Sequence, residues 1–514
     1  MNNAPDWISR GLSRLRSPPA PIVESPTKPS TKANAQTKVD AQVKDSAKVD
    51  AKDKAENKDK AKAVAAAPRS THERLQATLR RGQEAMAPHV LRRVLGELQA
   101  VIQPRTSDVE GGRRAQALAQ WYAQASGEER RDLWLLMCEQ FAPDAERFEA
   151  ARQRFQAAAG TAEEGQAEIG MRLALVSPRT RLLQRFAVFP DGMRFLLDLR
   201  AELLIHLKSD PRLLALDTEL EHLFSTWFDV GFLELRRLSW DSPASLLEKL
   251  IQYEAVHDIR SWADLKNRLD SDRRCYALFH PRLPQEPLIF VEVALVANLS
   301  DSIAPLLDET AAPADLAKAS TAIFYSISNT QAGLRGVGFG DSLIKHVVET
   351  LCAEFPRLRT FATLSPIPGL RVWLTKNAQS MLDQLGEKTR AELARDLGVE
   401  AVEPEQLLAA FEGAPTLNTK SPVRAALMQC TAHYLVHATS RGKPADPVAR
   451  FHLGNGARVE QLNWAGDPSA KGHRQSYGLM VNYLYDLKRL DKHRSLLAQG
   501  KVAASKEVES LCPR

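Results

Sequence analysis

The stretch that most narrows the fold runs from Thr321 to Leu364. TAIFYSIS (Thr321–Ser328) reads as a strand, Gln331–Gly340 as a glycine-rich loop and Asp341–Glu354 as a helix striped by Ile344, Val347, Val348 and Leu351. RTFATL (Arg359–Leu364) reads as the next strand. A strand, a helix and a strand in that order form a parallel crossover unit. Upstream, Arg274–His280 and Pro287–Ala297 are spaced for an antiparallel meander, with Ile289, Val291, Val293 and Leu295 on one face. A helix before them runs through Leu246, Leu247, Leu250 and Ile251, with Ser242 or Asp241 as its expected cap. Downstream, a helical stretch from Thr375 to about Ser440 precedes two more strands, Ala457–Trp464 and Gly478–Asp486, and a polar closing helix.

Before this mixed sheet the pattern is helical throughout. Leu75, Leu79, Met86, Val90, Leu91, Val94, Leu95 and Leu98 recur close to three-or-four spacing, and amphipathic runs follow at Ala115–Tyr122, Leu133–Phe141, Ala145–Ala158 and Met193–Leu207. Residues from about Pro18 to Ala67 are Ala, Lys, Asp, Pro and Ser, a composition that cannot bury enough apolar surface to offset its ordering entropy. The fold class expected is therefore α+β. A disordered tail (1–70) precedes an all-helical bundle (71–227), which precedes a mixed α/β domain (228–514). Trp240, Trp262, Trp373 and Trp464 are expected in the core.

Charge and cysteine usage remove several functional classes. The net charge of +6 arises from 69 basic and 63 acidic residues that interleave, with no aromatic-basic motif for nucleic acid. No apolar run is long enough to span a bilayer. Five separated cysteines argue against disulfide frameworks and suit a reducing, cytoplasmic compartment. The first residues carry no secretory apolar core, and Cys512-Pro513-Arg514 is not a peroxisomal address.

The loop is suited to a pyrophosphate. Its glycines admit close backbone approach, and the amides opening the following helix carry partial positive charge. A Rossmann fingerprint would need glycine where Asp341 stands, and the Gly-Lys-Ser/Thr of a P-loop is absent. Arg335, Gly338 and Gly340 instead fill R-x-x-G-x-G, the acyl-CoA loop of the GNAT acyltransferases. The domain is thus read as GNAT-like, and the mild positive balance suits a ligand with several phosphates.

Longer phrases narrow this further. EAVHDIRSWADLKNRLDSDRRCYALFHPRLPQEPLIFVEVAL, TAIFYSISNTQAGLRGVGFGDSLIKHVVETL, FATLSPIPGLRVWL, DPVARFHLGNGARVEQLNWAGD and YGLMVNYLYDL resemble malonyl-CoA decarboxylase from about Phe228 to Leu496. The resemblance implies a helical domain used for homo-oligomer assembly (dimer or tetramer) and a GNAT-like catalytic domain. It implies a carboxy-lyase that converts malonyl-CoA to acetyl-CoA and CO2 in fatty-acid or malonate metabolism. By the same resemblance the CoA loop comprises Leu334, Arg335, Gly336, Val337, Gly338, Phe339 and Gly340. The catalytic serine falls on Ser365 and the catalytic histidine on His452, with Tyr485 supporting that histidine. Ser326 and Ser328 fall where the acyl group passes.

The chemistry is coherent with those residue types. Loss of CO2 leaves a carbanion conjugated with the thioester, so the thioester is its own electron sink and no cofactor is expected. A donor for the thioester oxygen and a proton for the new methyl group are needed. An imidazole at His452 titrates near working pH; it precedes Gly454-Asn455-Gly456, a loop signature, and so need not be buried. Ser365, held before Pro366, could bind the carboxylate or relay a proton. His433 and His437 have the spacing of a zinc pair, but no third ligand accompanies them and no metal is expected. His257 is read as structural. Two other functions stay open on the loop alone: an acyl-CoA-dependent N-acyltransferase and a non-catalytic malonyl-CoA sensor.

Overall fold

The computed structural model describes residues 86–514 apart from Phe339 and Arg514. The tail to residue 70, and the first helical positions from Thr71, lie outside the described residues. Among the described residues eight α-helices come first: α1 (Pro88–Val101), α2 (Asp108–Gln124), α3 (Gly127–Gln140), α4 (Ala145–Ala158), α5 (Glu164–Leu175), α6 (Pro178–Phe186), α7 (Gly192–His206) and α8 (Leu214–Trp227). Their starts follow local chemistry. Proline opens α1 and α6, the Ser107 and Asp144 side chains accept from the first turns of α2 and α4, and Ser126 with Glu129 forms a capping box on α3. Among the described residues no helix is long and apolar enough to cross a membrane.

The sheet begins with β1 (Glu234–Leu238), then α9 (Ala244–Tyr253), α10 (Trp262–Arg268), β2 (Arg273–His280), β3 (Leu283–Val296) and β4 (Thr321–Asn329). The crossover helix α11 (Gly340–Glu354) leads to β5 (Thr360–Thr363) and the two-residue β6 (Ser365–Pro366). Four helices follow, α12 (Leu370–Gln384), α13 (Glu387–Leu397), α14 (Pro404–Glu412) and α15 (Pro422–Val436), then a small β7 (Thr439–Ser440) and β8 (Lys443–Pro444) pair. The chain closes through α16 (Pro447–Gly454), β9 (Arg458–Asn463), α17 (Ala470–Ser476), β10 (Met480–Leu484), α18 (Leu490–Ala498) and α19 (Lys506–Leu511).

Strand order is β1-β2-β3-β4-β5-β10-β6, with β9 beside β10. Among the described strands only β4 and β5 pair in parallel, joined by α11 as the crossover requires. An antiparallel meander thus feeds a parallel pair through a glycine loop and a helix. The class read from the sequence, helices first and then this α+β sheet, is the one found. On β3, Val291, Val293 and Leu295 join the main core, which also takes in α1, α7, α8 and α11. Phe290 on the other face packs with Leu247, Leu250 and Leu265 of α9 and α10.

Two local expectations are corrected. The cap of α9 is Pro243, without a side-chain bond; the Ser242 hydroxyl instead accepts from Ser239 N (3.0 Å). Trp240 and Trp262 are 43% and 45% exposed, lying edge to face against each other at 6.0 Å, while Trp373 and Trp464 pack partly buried against the core.

Candidate active site

β4 and β5 share four paired positions, from Thr321↔Thr360 to Phe324↔Thr363. Leu364 N still reaches Phe324 O at 3.0 Å, but the chain then turns into β6, which pairs with β10. β4 continues to Asn329, and a bulge in its pairing with β3 separates Phe324 from Ser326. The two parallel strands therefore part beyond Phe324, leaving backbone groups of β4 for another partner.

Three of the expected residues meet beside this fork. His452 Nε2 lies 3.3 Å from Ser365 Oγ, and its Nδ1 lies 2.7 Å from Tyr485 Oη. Ser365 Oγ donates to Thr363 Oγ1 (2.9 Å), which also accepts from Tyr483 N (3.1 Å). With that hydroxyl proton committed, Ser365 accepts from His452 Nε2–H, and Nδ1 accepts from the Tyr485 phenol. The Tyr483 ring stacks on the imidazole at 4.8 Å. His452 is 3% exposed, and burial lowers its pKa to about 3. Burial thus favours the neutral imidazole.

Contrary to the loop expected from Gly454-Asn455-Gly456, His452 sits on a helix. Pro447 at the first turn and Asp446 as cap start α16, and the glycines end it. Sequence reasoning passes over Asp446, although Asp-Pro before an apolar run is a helix-start signal. Its Oδ1 accepts from Val448 N (2.9 Å) and Ala449 N (3.0 Å); its Oδ2 accepts from Gly369 N (3.1 Å) and faces the Tyr434 hydroxyl (3.4 Å). Gly369 caps α12, four residues beyond Ser365. One buried carboxylate therefore ties the serine loop to the histidine helix, and burial pushes its pKa up.

Ser326 and Ser328 are not in this group. Both hydroxyls donate to the buried Glu254 carboxylate, Ser326 at 2.7 Å and Ser328 at 3.2 Å. They lie opposite Glu292 and Phe290 of β3, on the side covered by α9 and α10. The glycine loop continues directly from β4. Ala332–Leu334 forms a single 3-10 turn, Gly333 and Leu334 are buried, Arg335, Gly336 and Gly338 are exposed, and Val337 is intermediate. A Cβ added at Gly338 would meet nothing within 4 Å, so a ligand has room there. Gly340 opens α11, and Phe339 lies outside the described residues.

The remaining histidines stay apart from this chemistry. His257 is buried, which lowers its pKa to about 4. The His433 and His437 rings lie tilted against each other at 5.2 Å, and among the described residues no group of three or more metal-ligating side chains forms.

Comparison with known proteins gives consistent matches. A family model described as the malonyl-CoA decarboxylase C-terminal domain matches residues 231–514, and one described as the N-terminal domain matches residues 141–228. The mitochondrial malonyl-CoA decarboxylase of Anser anser anser is 36% identical over 405 residues, 75% of this chain and 80% of that protein. That of Rattus norvegicus is 37% identical over 362 residues, 67% and 73% of the two chains. The crystal structure of malonyl-CoA decarboxylase from Cupriavidus metallidurans is 44% identical with a TM-score of 0.66, covering 82% of this chain and 100% of that one. The Rhodopseudomonas palustris structure is 38% identical with a TM-score of 0.71, covering 82% and 99%.

Proposed function

The chain belongs to the malonyl-CoA decarboxylase family, and from that premise we propose that it converts malonyl-CoA to acetyl-CoA and CO2 with His452 as proton donor. The observation that carries this reading is the Tyr485–His452–Ser365 line beside the fork of β4 and β5. Acyl-CoA would lay its pyrophosphate on Leu334–Gly340 and run its acyl end toward the fork. A malonyl carboxylate entering this dry site favours the charged imidazole, because an opposite charge nearby raises a histidine pKa. The bond between carboxylate and methylene breaks, CO2 leaves, and the electron pair passes into the thioester enolate. The Nε2 proton then goes to the methylene carbon, and His452 recovers a proton from solvent. With substrate bound, the Ser365 hydroxyl turns from Thr363 to donate to the carboxylate while its oxygen still accepts from the ring; Tyr485 fixes the tautomer from the other side. Because the thioester receives the charge, this route calls for no electron-sink cofactor. Ser326 and Ser328 act through Glu254, holding the β4 segment along which the acyl arm runs.

Assembly and setting belong to the same proposal. α4 and α5 form a hairpin whose second helix buries only Ala174 and exposes Ile169, Leu173 and Leu175, which supports a homo-oligomer face in the helical part of the chain. Five unpaired thiols support a reducing, cytoplasmic setting in fatty-acid or malonate metabolism. The test is to incubate the purified protein with malonyl-CoA and follow thioester mass. Conversion to acetyl-CoA without an acceptor is expected. Intact malonyl-CoA would overturn the proposal in favour of a sensor, and turnover that requires an amine would indicate an N-acyltransferase.

A further inference from the structure

The glycine loop closes its own 3-10 turn, and α7 and α8 grip it from outside. Arg200, on α7 and 1% exposed, reaches across with its whole guanidinium engaged. Nη1 donates to the carbonyls of Gly333 (2.9 Å) and Arg335 (2.8 Å), Nε to Asp217 (2.8 Å) and Nη2 to Glu221 (2.7 Å). Asp217 and Glu221 stand four apart on α8, one face of that helix, and aim the arginine at the loop. Earlier on α7, Arg194 donates to Gln331 Oε1 (2.5 Å) at the loop entrance. Between the two arginines Leu197 presents its backbone carbonyl so close to Gly333 that any Cβ there would collide with it. Gly336 takes φ +89°, and a Cβ on it would lie 2.9 Å from the Glu221 carboxylate.

The consequence follows from the trans peptide, in which C=O and N–H point in opposite directions. With the Arg335 carbonyl drawn to Arg200, the N–H of the exposed Gly336 points away from α7, toward the side open to a ligand. The guanidinium charge is already matched by two carboxylates, so Arg200 is not itself a phosphate ligand. We propose that Arg200 is a positioning residue for acyl-CoA: clamped by α8, it orients the Gly336 amide for the pyrophosphate, so the helical part of the chain shapes the CoA site. This rests on the acyl-CoA reading of the loop.

The test uses the full chain, with CoA itself as the binding probe. Arg200→Met should raise the CoA Kd and the malonyl-CoA KM about tenfold, while kcat at saturation stays within about threefold, the pattern of lost ground-state binding. Arg200→Lys keeps the charge without the planar fork and should recover part of the affinity. A loss of kcat with unchanged KM and Kd would mean a merely structural role and overturn the proposal. Gly338→Leu is the control for the loop itself. If it binds CoA normally, the loop reading fails. If it weakens CoA while Arg200→Met binds normally, Arg200 positioning fails and the loop reading stands. Should Arg200→Met not fold, Glu221→Gln, on the half-exposed side of the clamp, should still raise Kd several-fold, and an unchanged Kd would overturn the proposal.

Discussion

At His452 two effects act on one ring: burial disfavours its charge, and hydrogen bonds on both nitrogens fix which one carries the proton. His452→Ala should lower kcat by about 10²–10⁴, the range for a positioned acid, with KM nearly unchanged. Tyr485→Phe keeps the ring packing but removes the donor to Nδ1, and it should cost about tenfold in kcat. Because burial holds the imidazole pKa down at about 3, kcat/KM should show no inflection from it between about pH 5.5 and 8, as kcat/KM reports free-enzyme groups. An inflection near neutrality that disappears in His452→Ala would contradict the buried, neutral ring. The same shift has a stability sign. A histidine depressed from 6.5 to about 3 contributes stability that is present above 6.5 and lost as pH falls toward 3. Urea unfolding at pH 7 and pH 5 should therefore show a drop that is smaller by about 2 kcal/mol in His452→Gln.

At the scale of elements, Asp446 carries two jobs with one carboxylate: it caps α16 and grips the amide that opens α12. Asp446→Ala should cost about 1–3 kcal/mol, since it removes a cap and leaves buried amides unpaired. Asp446→Asn keeps an acceptor on one side and should lose less. In both, kcat should fall while CoA affinity holds, because the disturbed contacts lie between Ser365 and His452 rather than in the loop; stopped-assay kinetics beside urea titrations would separate the two effects. This is also where the sequence stops being legible. β3 and β4 are readable because Val291, Val293, Leu295 and their neighbours alternate, and the R-x-x-G-x-G loop is readable because glycine spacing is local. β1 is not: Glu234-Leu235-Arg236-Arg237-Leu238 is an edge strand with charge on both faces and no period of two. Ser365 and His452 stand out only through resemblance to a family, since 87 residues separate them. Asp446 and Arg200 act across 77 and 133 residues, and no local pattern announces a contact of that span. Ser326 and Ser328 can be placed on β4, but their grip on Glu254 depends on a turn 72 residues upstream.

For the whole molecule, the Tyr485–His452–Ser365 line, the loop and the Arg200 clamp lie within one chain. One exposed apolar patch lies elsewhere, on α5. Ile169 and Leu173, four apart on α5, project together at 53% and 56% exposure beside a groove of about 1130 Å³ between α4 and α5. Covering such side chains is worth about 1.5–3 kcal/mol each. In a two-fold interface every substitution counts twice, so a charge at both positions acts four times per contact. Ile169→Glu combined with Leu173→Glu should therefore weaken self-association by orders of magnitude and shift the light-scattering mass to a smaller species. Per-subunit kcat should persist, because neither residue touches the fork or the loop. An unchanged mass would move the assembly face away from α5. A lower mass with a raised malonyl-CoA KM would mean that contacts at α5 reach the loop through α7 and α8, the helices that grip it.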